Sequence, residues 1–347
     1  MTAPLITVLI TTYNYGQFLE QAIDSILSQD FPLDKIQIVV VDDGSTDDTP
    51  ERVKKYGSRI EYFYKPNGGQ ASALNFGIAH AHGEIIALLD ADDFFLRSKL
   101  SRIVEAFQRN PDVGMVYHPW RQWKTRIDEH QDSGHFLFSG NAFTAPEQFI
   151  SYIPHPTSCV SFRLSFLDRL LPIPEQIRML ADGYLVELIP ILSPILTIPE
   201  SLSVYRIHGD NSYGPEDQQM PLEVRTSRLR ARDIQFEAMR KWLADNGFTR
   251  KKAPVRSLLD RWTLYQERDE FVLNPPGRLR FFRHLLTYNS CYGPTMTRRL
   301  RITNHINAFG ALVVGYKHFH LLDKWRLDAT SLIKGTFKRP ASPPVEK

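Results

Sequence analysis

Short apolar runs alternate with segments of helical periodicity over the first 117 residues. The apolar runs are rich in Val, Ile and Leu, which is typical of buried parallel strands; they lie at 5–10, 36–41, 60–64, 84–89 and 113–117. Apolar residues recur at helical spacing between these runs, at 18–27, 49–56, 70–83 and 100–110. Such alternation predicts an α/β fold in which a mostly parallel sheet is flanked by helices on both faces.

The pattern changes in the rest of the chain. Residues 118–214 are rich in proline and aromatic residues and show no clear period, whereas 222–243 and 255–271 return to helix-like spacing. We therefore predict two parts, an α/β domain over 1–214 and a mainly helical region over 215–347.

Charge divides along the same line. Residues 215–347 hold 25 Lys and Arg against 13 Asp and Glu, a formal charge of +12, and residues 1–214 hold 17 against 26, a formal charge of −9. An acidic first part suits a site that holds a cation, and a basic second part suits contact with phosphates, anionic lipid or nucleic acid. The alternative for the second part is an ordinary solvated helix surface.

The chain carries few signals of cellular location. Its two cysteines, Cys159 and Cys291, fit a reducing compartment. The N-terminus lacks the features of a signal peptide, and no run of 18 apolar residues occurs, so we expect a cytoplasmic protein. The apolar run at 309–316 has basic neighbours, which suits peripheral contact with the cytoplasmic face of an anionic membrane. A core helix or a dimer contact is the alternative for this run.

Polar side chains follow the predicted strands at their carboxyl ends. Thr11 and Tyr13 follow the first strand, Asp42 and Asp43 follow the second, and an Asp-Ala-Asp-Asp turn at 90–93 follows the fourth. Carboxyl ends of parallel strands meet at one edge of a sheet, where ligands bind, so we expect these groups to converge. On local grounds alone, the Asp-Asp pair and the Gly-Ser after it are also good turn chemistry.

The acidic turn is a candidate metal site. Asp90, Asp92 and Asp93 would repel one another without a cation, and their oxygens suit Mg²⁺ or Mn²⁺, which also bind substrate phosphates. The alternative is a strand-to-helix turn capped by Asp. Two glycines at 68–69 precede another predicted helix and suit an anionic group. The chain has no Walker loop, and no Gly-x-Gly-x-x-Gly follows the first strand.

Four stretches together resemble family 2 glycosyltransferases. They read, in order, VLITTYNYGQFLEQAIDSILSQDF, VVVDDGSTDDT, NGGQASALNFGIAHAHGEIIALLDADD and VYRIHGDNS, and the resemblance covers residues 5–212. It implies a Rossmann-like, A-type glycosyltransferase fold and inverting, metal-dependent transfer of a sugar from a nucleotide-diphosphate sugar, with UDP favoured, to an acceptor hydroxyl. It also implies a place in glycan or polysaccharide biosynthesis, with a glycan, lipid-linked or small-molecule acceptor.

The resemblance implies roles for single residues. Asp92 and His208 would hold Mg²⁺ or Mn²⁺, with Arg206 nearby, and Asp93 would orient the turn. Residues implied at the nucleotide are Thr11, Tyr13, Asp42, Asp43, Gly69, Asp90 and Ala91. A carboxylate after the second strand suits the N3–H of uracil. For His208, the alternative is an ordinary loop histidine.

Inversion requires one general base that takes the proton of the acceptor hydroxyl. Asp182, in RMLADGYLVELI, matches the family's base by position, and Glu187 is a second choice. The match departs from the family at Ala181, where relatives often carry an acidic residue, and the alternative role for Asp182 is a helix cap. Residues where relatives place the acceptor site are His155, Thr157 and Ser158. Structural turns beside the neighbouring prolines are the alternative for these three.

Other functions fit parts of the pattern. The main alternative is a catalytically silent sugar-nucleotide-binding or scaffold protein of the same fold, and intact Asp92, Asp182 and His208 argue against it. A nucleotidyltransferase usually carries a glycine-rich loop with Arg or Lys after the first strand, which this chain lacks. No nucleic-acid-binding module is visible, so we expect no nucleic-acid partner.

Overall fold

The computed structural model describes residues 5–124, 127–132, 138–143, 156–208, 211, 222–292 and 308. Contacts between Cα atoms divide the chain into two compact units, residues 1–259 and 260–347. This division does not test the boundary expected after residue 214, which stays a prediction. The apolar run at 309–316 lies outside the described residues.

A seven-stranded sheet forms the centre of the first unit. Its strands are β1 (Ile6–Thr12), β2 (Ile36–Asp42), β3 (Glu61–Tyr64), β4 (Ile85–Asp90), β6 (Met115–Tyr117), β9 (Val160–Arg163) and β10 (Ile195–Thr197). Their order is β10-β6-β9-β4-β1-β2-β3. Neighbouring strands are parallel except where β9 pairs with β4 and β6. The predicted α/β class and mostly parallel sheet are confirmed.

A smaller sheet of four strands was not indicated by the apolar pattern. Its strands are β5 (Phe94–Phe95), β7 (Trp120–Lys124), β8 (Ile127–Asp132) and β11 (Ser203–Ile207), in the order β5-β11-β7-β8. These strands and β9 are short, and most of them lie in the irregular region 118–214. Short strands that lack a continuous apolar run, in a region rich in proline and aromatic residues, show no clear period that distinguishes them from loops.

Nine helices are present in the described residues. They are α1 (Gly16–Leu27), α2 (Thr49–Val53), α3 (Gln70–Ala79), α4 (Lys99–Arg109), α5 (Leu164–Leu167), α6 (Ala181–Leu192), α7 (Leu222–Asp245), α8 (Ala253–Leu273) and α9 (Arg278–Tyr292). The helices predicted from apolar spacing are confirmed within a few residues. The one predicted at 49–56 ends at Val53 and continues as a 3₁₀ turn, Lys54–Arg59, in which Gly57 leaves helical geometry with φ 53°.

Helices flank both faces of the large sheet. Successive residues of a strand point to opposite faces, and β1 shows this directly. Val8 packs in one buried cluster with Ile23 of α1 and Ile103 of α4. Leu9 points the other way, toward α3, where a Cβ on Gly77 would overlap the Leu9 side chain. Because Gly77 has no side chain, α3 can lie close to the sheet. The sheet is thus covered by α1 and α4 on one face and by α3 on the other.

The second unit has its own contacts. The rings of Phe271 and Phe281 pack edge to face with centroids 6.2 Å apart, and His284 Nδ1 lies 2.8 Å from Glu267 Oε2. These contacts join the end of α8 to α9. Among the described helices, none has both the length and the hydropathy that crossing a bilayer requires.

Candidate active site

The ends of three neighbouring strands form the floor of the site. β1 lies between β2 and β4, with Thr12 opposite Asp42 and Thr11 opposite Asp90. After β3 the chain returns across β1 to form β4 on its other side. Such a switch in strand order opens a crevice at the carboxyl ends of the strands. The polar residues that follow these strands therefore lie at one edge of the sheet.

The first acid after β2 organises the turn. Asp42 is fully buried. Its Oδ1 accepts a hydrogen bond from the Ser45 backbone N–H at 2.7 Å, and its Oδ2 accepts one from the Tyr62 hydroxyl at 2.6 Å. Burial, followed by this contact with Asp42, raises the pKa of Tyr62, which keeps the phenol a donor. A nucleoside contact by Asp42 stays a prediction, and in this structure protein atoms cover its carboxylate.

The second acid after β2 binds the glycine loop. Asp43 accepts hydrogen bonds from the backbone N–H groups of Gly68, at 2.9 Å, and Gly69, at 2.7 Å. Lys65 Nζ donates to the same carboxylate at 2.6 Å. The two glycines were expected to suit an anion, and the structure shows that they bind one that the chain itself supplies. Contact between Gly69 and a nucleotide stays a prediction.

We expect Gly69→Ala to lower the free energy of unfolding by about 2–4 kcal/mol, because it adds a backbone clash to an unfavourable φ. Gly69 has φ 87°, and a Cβ there would lie 2.8 Å from the Cα and Cβ of Arg178. Gly247→Ala is a matched control, since its φ is 73° but nothing lies within 4 Å of the added Cβ; it should cost about 1–2 kcal/mol. Urea unfolding measures both. Equal losses would contradict a role for the Arg178 contact.

The loop after β1 is tied to the loop after β2. Asn14 has φ 59°; its N–H donates to Ser45 Oγ at 2.8 Å, and its Oδ1 accepts the Thr46 N–H at 2.8 Å. Asn and Asp tolerate this left-handed backbone better than other residues with side chains. Next to it, the Tyr13 side chain is 47% exposed. An aromatic face is therefore presented to solvent at the edge of the crevice.

The acidic turn after β4 brings three carboxylates together. One oxygen from each of Asp90, Asp92 and Asp93 lies within 4.8 Å of the others. Burial, followed by repulsion from the neighbouring carboxylates, raises the pKa of Asp90 and Asp93 well above the ordinary range. Asp93 Oδ1 accepts the Arg206 backbone N–H at 2.9 Å, which supports its expected role in orienting the turn. Asp93 Oδ2 is buried and has no hydrogen-bond partner among the described residues.

The Arg-Ile-His segment at the end of β11 closes over this turn. His208 Nε2 lies 3.0 Å from Asp92 Oδ2, and Arg206 Nε donates to the Asp92 carbonyl oxygen at 2.7 Å. The Arg206 guanidinium lies over the ring of Trp123, 4.6 Å from its centroid. Asn211 accepts the His208 backbone N–H and donates to the Arg206 carbonyl oxygen at 2.8 Å. The structure brings Asp92 and His208 together, and their role as metal ligands stays a prediction; sequence reasoning gave no role to Asn211.

This donor set fits a divalent cation. The cluster offers carboxylate oxygens, one of which, on Asp93, is buried with no hydrogen-bond partner in the described part of the chain, and the imidazole nitrogen of His208. Mn²⁺ accepts both kinds of ligand, and Mg²⁺ prefers the oxygens. Ala91, between Asp90 and Asp92, is buried, and its expected contact with the nucleotide stays a prediction.

We expect Asp90→Asn to gain thermal stability relative to the wild type as pH rises, provided that EDTA removes divalent cations. The folded-state pKa of Asp90 lies above its unfolded value, so ionisation opposes folding. The ionisation of Asp90 does not destabilise the folded protein below the pKa that Asp90 has in the unfolded chain, and its full effect is reached above the folded-state pKa. Asn does not ionise, so the variant lacks this loss of stability. Melting temperatures between about pH 5 and 8 measure the difference. With Mn²⁺ the difference should shrink, because a cation held by Asp92 and His208 would offset the repulsion on the Asp90 carboxylate. A difference in melting temperature between variant and wild type that changes with neither pH nor Mn²⁺ would contradict this electrostatic explanation.

Asp182 lies in the first turn of α6 and faces the acidic turn. Its Oδ2 accepts a hydrogen bond from the Thr157 hydroxyl at 3.0 Å, and its Oδ1 lies 3.5 Å from Gln70 Nε2. Burial raises the pKa of Asp182, and the Thr157 hydroxyl and the Gly183 N–H only partly offset this. Thr157 holds Asp182, and the next residue, Ser158, accepts the Asp90 backbone N–H at 3.0 Å, so adjacent residues link the two acids. The charge of Asp182 also raises the pKa of Asp90.

The second candidate base occupies a different face of α6. Glu187 is buried and lies five residues after Asp182, about 140° farther around the helix at 100° per residue. Of the two, Asp182 is therefore the one that the helix directs toward the acidic turn.

The expected acceptor residues support the carboxylates in this structure. Thr157 and Ser158 are both buried; Thr157 holds Asp182, and Ser158 Oγ accepts the Asp90 backbone N–H at 3.0 Å. Contact between either residue and an acceptor stays a prediction. His155 lies outside the described residues.

A buried lysine below the site was missed by sequence reasoning. Lys99 is fully buried, and its Nζ donates to the Ser158 carbonyl oxygen at 2.6 Å and to Ser203 Oγ at 3.1 Å. Burial lowers the pKa of Lys99 to about 7. A lysine in an amphipathic helix normally predicts an exposed position, so nothing in the sequence marks it. Its hydrogen bonds link α4, β11 and the 3₁₀ turn Thr157–Cys159.

Comparison with known sequences gives a consistent result. The family model described as "Glycosyl transferase family 2" matches residues 7–171. An uncharacterized glycosyltransferase from Nostoc sp. is 33% identical over 281 residues, which cover 77% of this chain and 84% of that protein. An uncharacterized glycosyltransferase from Rickettsia typhi is 35% identical over 154 residues, which cover 44% of this chain and 46% of that protein. The chain thus spans less than half of the rickettsial relative.

Comparison with solved structures supports the same fold. The crystal structure of S. aureus TarS 1-349 in complex with UDP has a TM-score of 0.53 and 18% identity, covering 90% of this chain and 92% of that one. The mannosyltransferase PcManGT from Pyrobaculum calidifontis, in complex with GDP-Man and Mn²⁺, has a TM-score of 0.54 and 20% identity, covering 93% and 84%. At these identities the similarity establishes the fold alone.

Proposed function

Because the chain belongs to glycosyltransferase family 2, we propose that it transfers a sugar from a nucleotide-diphosphate sugar to an acceptor hydroxyl with inversion and with a divalent cation. The protein is a glycosyltransferase, and the observation that carries the finer proposal is the meeting of three elements at one strand end. These are the acidic turn, His208 on Asp92, and Asp182, which is held by Thr157, the neighbour of the Ser158 that binds the Asp90 backbone.

We assign the nucleotide to the crevice at the ends of β1, β2 and β4. Structures with the same fold hold UDP, UDP-GlcNAc or GDP-Man, which supports a nucleotide-diphosphate sugar as donor. Exposed Tyr13 would stack or border the base, and Asp90 would approach the ribose. Asp42 and Asp43 would shape this pocket through the turns that they hold. A direct contact between either carboxylate and the nucleotide would require the protein groups that now bind it to move away. UDP remains the favoured nucleotide from the family resemblance.

Asp92 and His208 would hold Mg²⁺ or Mn²⁺. The Pyrobaculum mannosyltransferase, which has the same fold, was solved in complex with Mn²⁺. When bound, such a cation stabilises negative charge on the departing diphosphate. Arg206 Nε donates to the Asp92 carbonyl oxygen and would help to hold the turn in place.

Asp182 has the properties of the general base. Its carboxylate is oriented by Thr157, and a raised pKa makes it a stronger proton acceptor than an exposed Asp. In the proposed step the acceptor oxygen forms a bond to the anomeric carbon while the bond from that carbon to the diphosphate breaks. The hydroxyl proton passes to Asp182. Because a single displacement occurs on the face opposite the leaving group, the configuration inverts.

The test is a panel of UDP-, GDP-, dTDP- and CDP-sugars incubated with the full chain and Mn²⁺ or Mg²⁺, with release of the nucleoside diphosphate as the signal. We expect release from one nucleotide class, loss of that release in EDTA, and a product whose anomeric configuration is opposite to that of the donor. Retained configuration would contradict the single-base proposal. No release from any donor would favour a silent protein of this fold.

A further inference from the structure

Helix α7 contacts the segment that carries Asp182. Gln235 on α7 is buried, and its Nε2 donates a hydrogen bond to the Leu180 carbonyl oxygen at 2.6 Å. Gly183 lies beside the same amide, and a Cβ on this glycine would overlap Gln235 Nε2. The absence of a side chain at 183 therefore makes room for the contact. Both residues of the pair belong to the first compact unit.

The peptide group before Asp182 is held from both sides. Gln235 binds the C=O of Leu180, and the side-chain Oε1 of Gln70 accepts the N–H of Ala181 at 2.8 Å. These two backbone groups are the two halves of one peptide unit. Two glutamines, from α3 and α7, thus fix the plane of the peptide that leads into the candidate base.

This peptide requires such support. Leu180 adopts a left-handed backbone, φ 62° and ψ 27°, which is unfavourable for a residue with a Cβ and persists only where surrounding contacts impose it. Leu180 is also the residue from which α6 begins, so its conformation sets the direction of the first helical turn. Asp182 lies in that turn, two residues later.

We propose that Gln235 is a positioning residue for the transfer reaction, which holds Asp182 in its working orientation through the Leu180–Ala181 peptide. The inference rests on the proposed role of Asp182 as general base. Gln235 lies outside residues 7–171, which match the family model. Helix α7, which lies outside the matched region, would therefore take part in building the catalytic site.

The first test is Gln235→Met, which removes the amide donor and keeps a side chain of similar length. We expect kcat to fall by about 10- to 100-fold, because small misplacements of catalytic groups have effects of that size. The donor KM should stay within about twofold, because the donor contacts lie on the ends of β1, β2 and β4. Gly183→Ala, which displaces the Gln235 amide from the other side, should reproduce this pattern. Glu237→Gln, at an exposed position on α7, is the matched control.

A double variant separates positioning from general support of the fold. If Gln235 acts through Asp182, then Asp182→Asn combined with Gln235→Met should have the same residual kcat as Asp182→Asn alone, within about twofold. Melting temperatures of all variants establish the folded fraction under assay conditions. Gly183→Ala provides the same comparison if Gln235→Met does not fold.

The outcomes are distinct. Wild-type kcat in both Gln235→Met and Gly183→Ala would overturn the inference. So would a full multiplicative loss in the double variant, or a loss expressed mainly as a higher donor KM, since either indicates a general structural effect. Near-wild-type kcat in Asp182→Asn would instead overturn the assignment of the base, whatever Gln235→Met shows.

Discussion

Asp182→Asn should lower kcat for sugar transfer by about 10²- to 10⁴-fold, the usual contribution of a general base. Asn has nearly the same shape, so it can still accept the hydrogen bond from Thr157, but it cannot take a proton from the acceptor hydroxyl. The donor site at the ends of β1, β2 and β4 is unchanged by the substitution. Stabilisation of the variant by nucleotide and Mn²⁺ should therefore match that of the wild type.

The matched variant is Glu187→Gln, which changes the other acidic residue of the same helix. Glu187 lies on a different face of α6 from Asp182, so its loss should reduce kcat far less once the folded fraction is accounted for. Measurement of kcat and melting temperature for both variants decides between the two carboxylates. A larger loss of kcat in folded Glu187→Gln than in Asp182→Asn would show that the base is misassigned.

Asp92→Ala should lower kcat by about 10³-fold, because a catalytic cation supplies several kcal/mol of charge stabilisation and each 1.36 kcal/mol is a factor of ten. Asp92 is the carboxylate that meets His208, and its removal takes a ligand from the centre of the cluster. His208→Asn should have a smaller effect, because the three carboxylates remain.

Metal titration of activity measures the effect of Asp92→Ala. The variant should require far more Mn²⁺ than the wild type or show no dependence on it. Asp48→Asn is the control, since Asp48 is an exposed acid that pairs with Arg52 and is not one of the three carboxylates of the acidic turn. An unchanged Mn²⁺ dependence in Asp92→Ala would place the cation elsewhere.

Five of the seven strands of the large sheet were predictable from sequence because they are apolar runs; β9 and β10, four and three residues long in the irregular region, were not. Buried parallel strands such as Ile36–Asp42 need apolar residues on both faces, which leaves a pattern that a loop does not share. The small sheet leaves no such pattern. β5 has two residues, and β11 carries Arg206, whose guanidinium is accommodated by aromatic rings and a backbone carbonyl. These are tertiary contacts that a local pattern does not encode.

The site divides in the same way. Asp90, Asp92 and Asp93 were identifiable because they follow a strand end directly, and His208 because a family motif marks it. Lys99 and Gln235 were not, since each is a polar residue in an ordinary helical pattern and becomes significant only when distant elements meet. The expected domain over 1–214 would also lack α7, and with it Gln235. Whether that shorter chain retains activity is a separate test of the predicted boundary.

The most direct test of the donor site is a thermal-shift series with UDP, GDP, dTDP and CDP, each with Mn²⁺, Mg²⁺ or EDTA, on the wild type and Asp92→Ala. A ligand at 100 times its dissociation constant stabilises the folded state by about 2.7 kcal/mol, which is a shift of several degrees for a chain of this size. We expect such a shift for one nucleotide in the wild type with metal, and none in EDTA or in Asp92→Ala. Equal shifts with and without metal, or no shift with any of the four nucleotides, would contradict a metal-dependent nucleotide site at the ends of β1, β2 and β4.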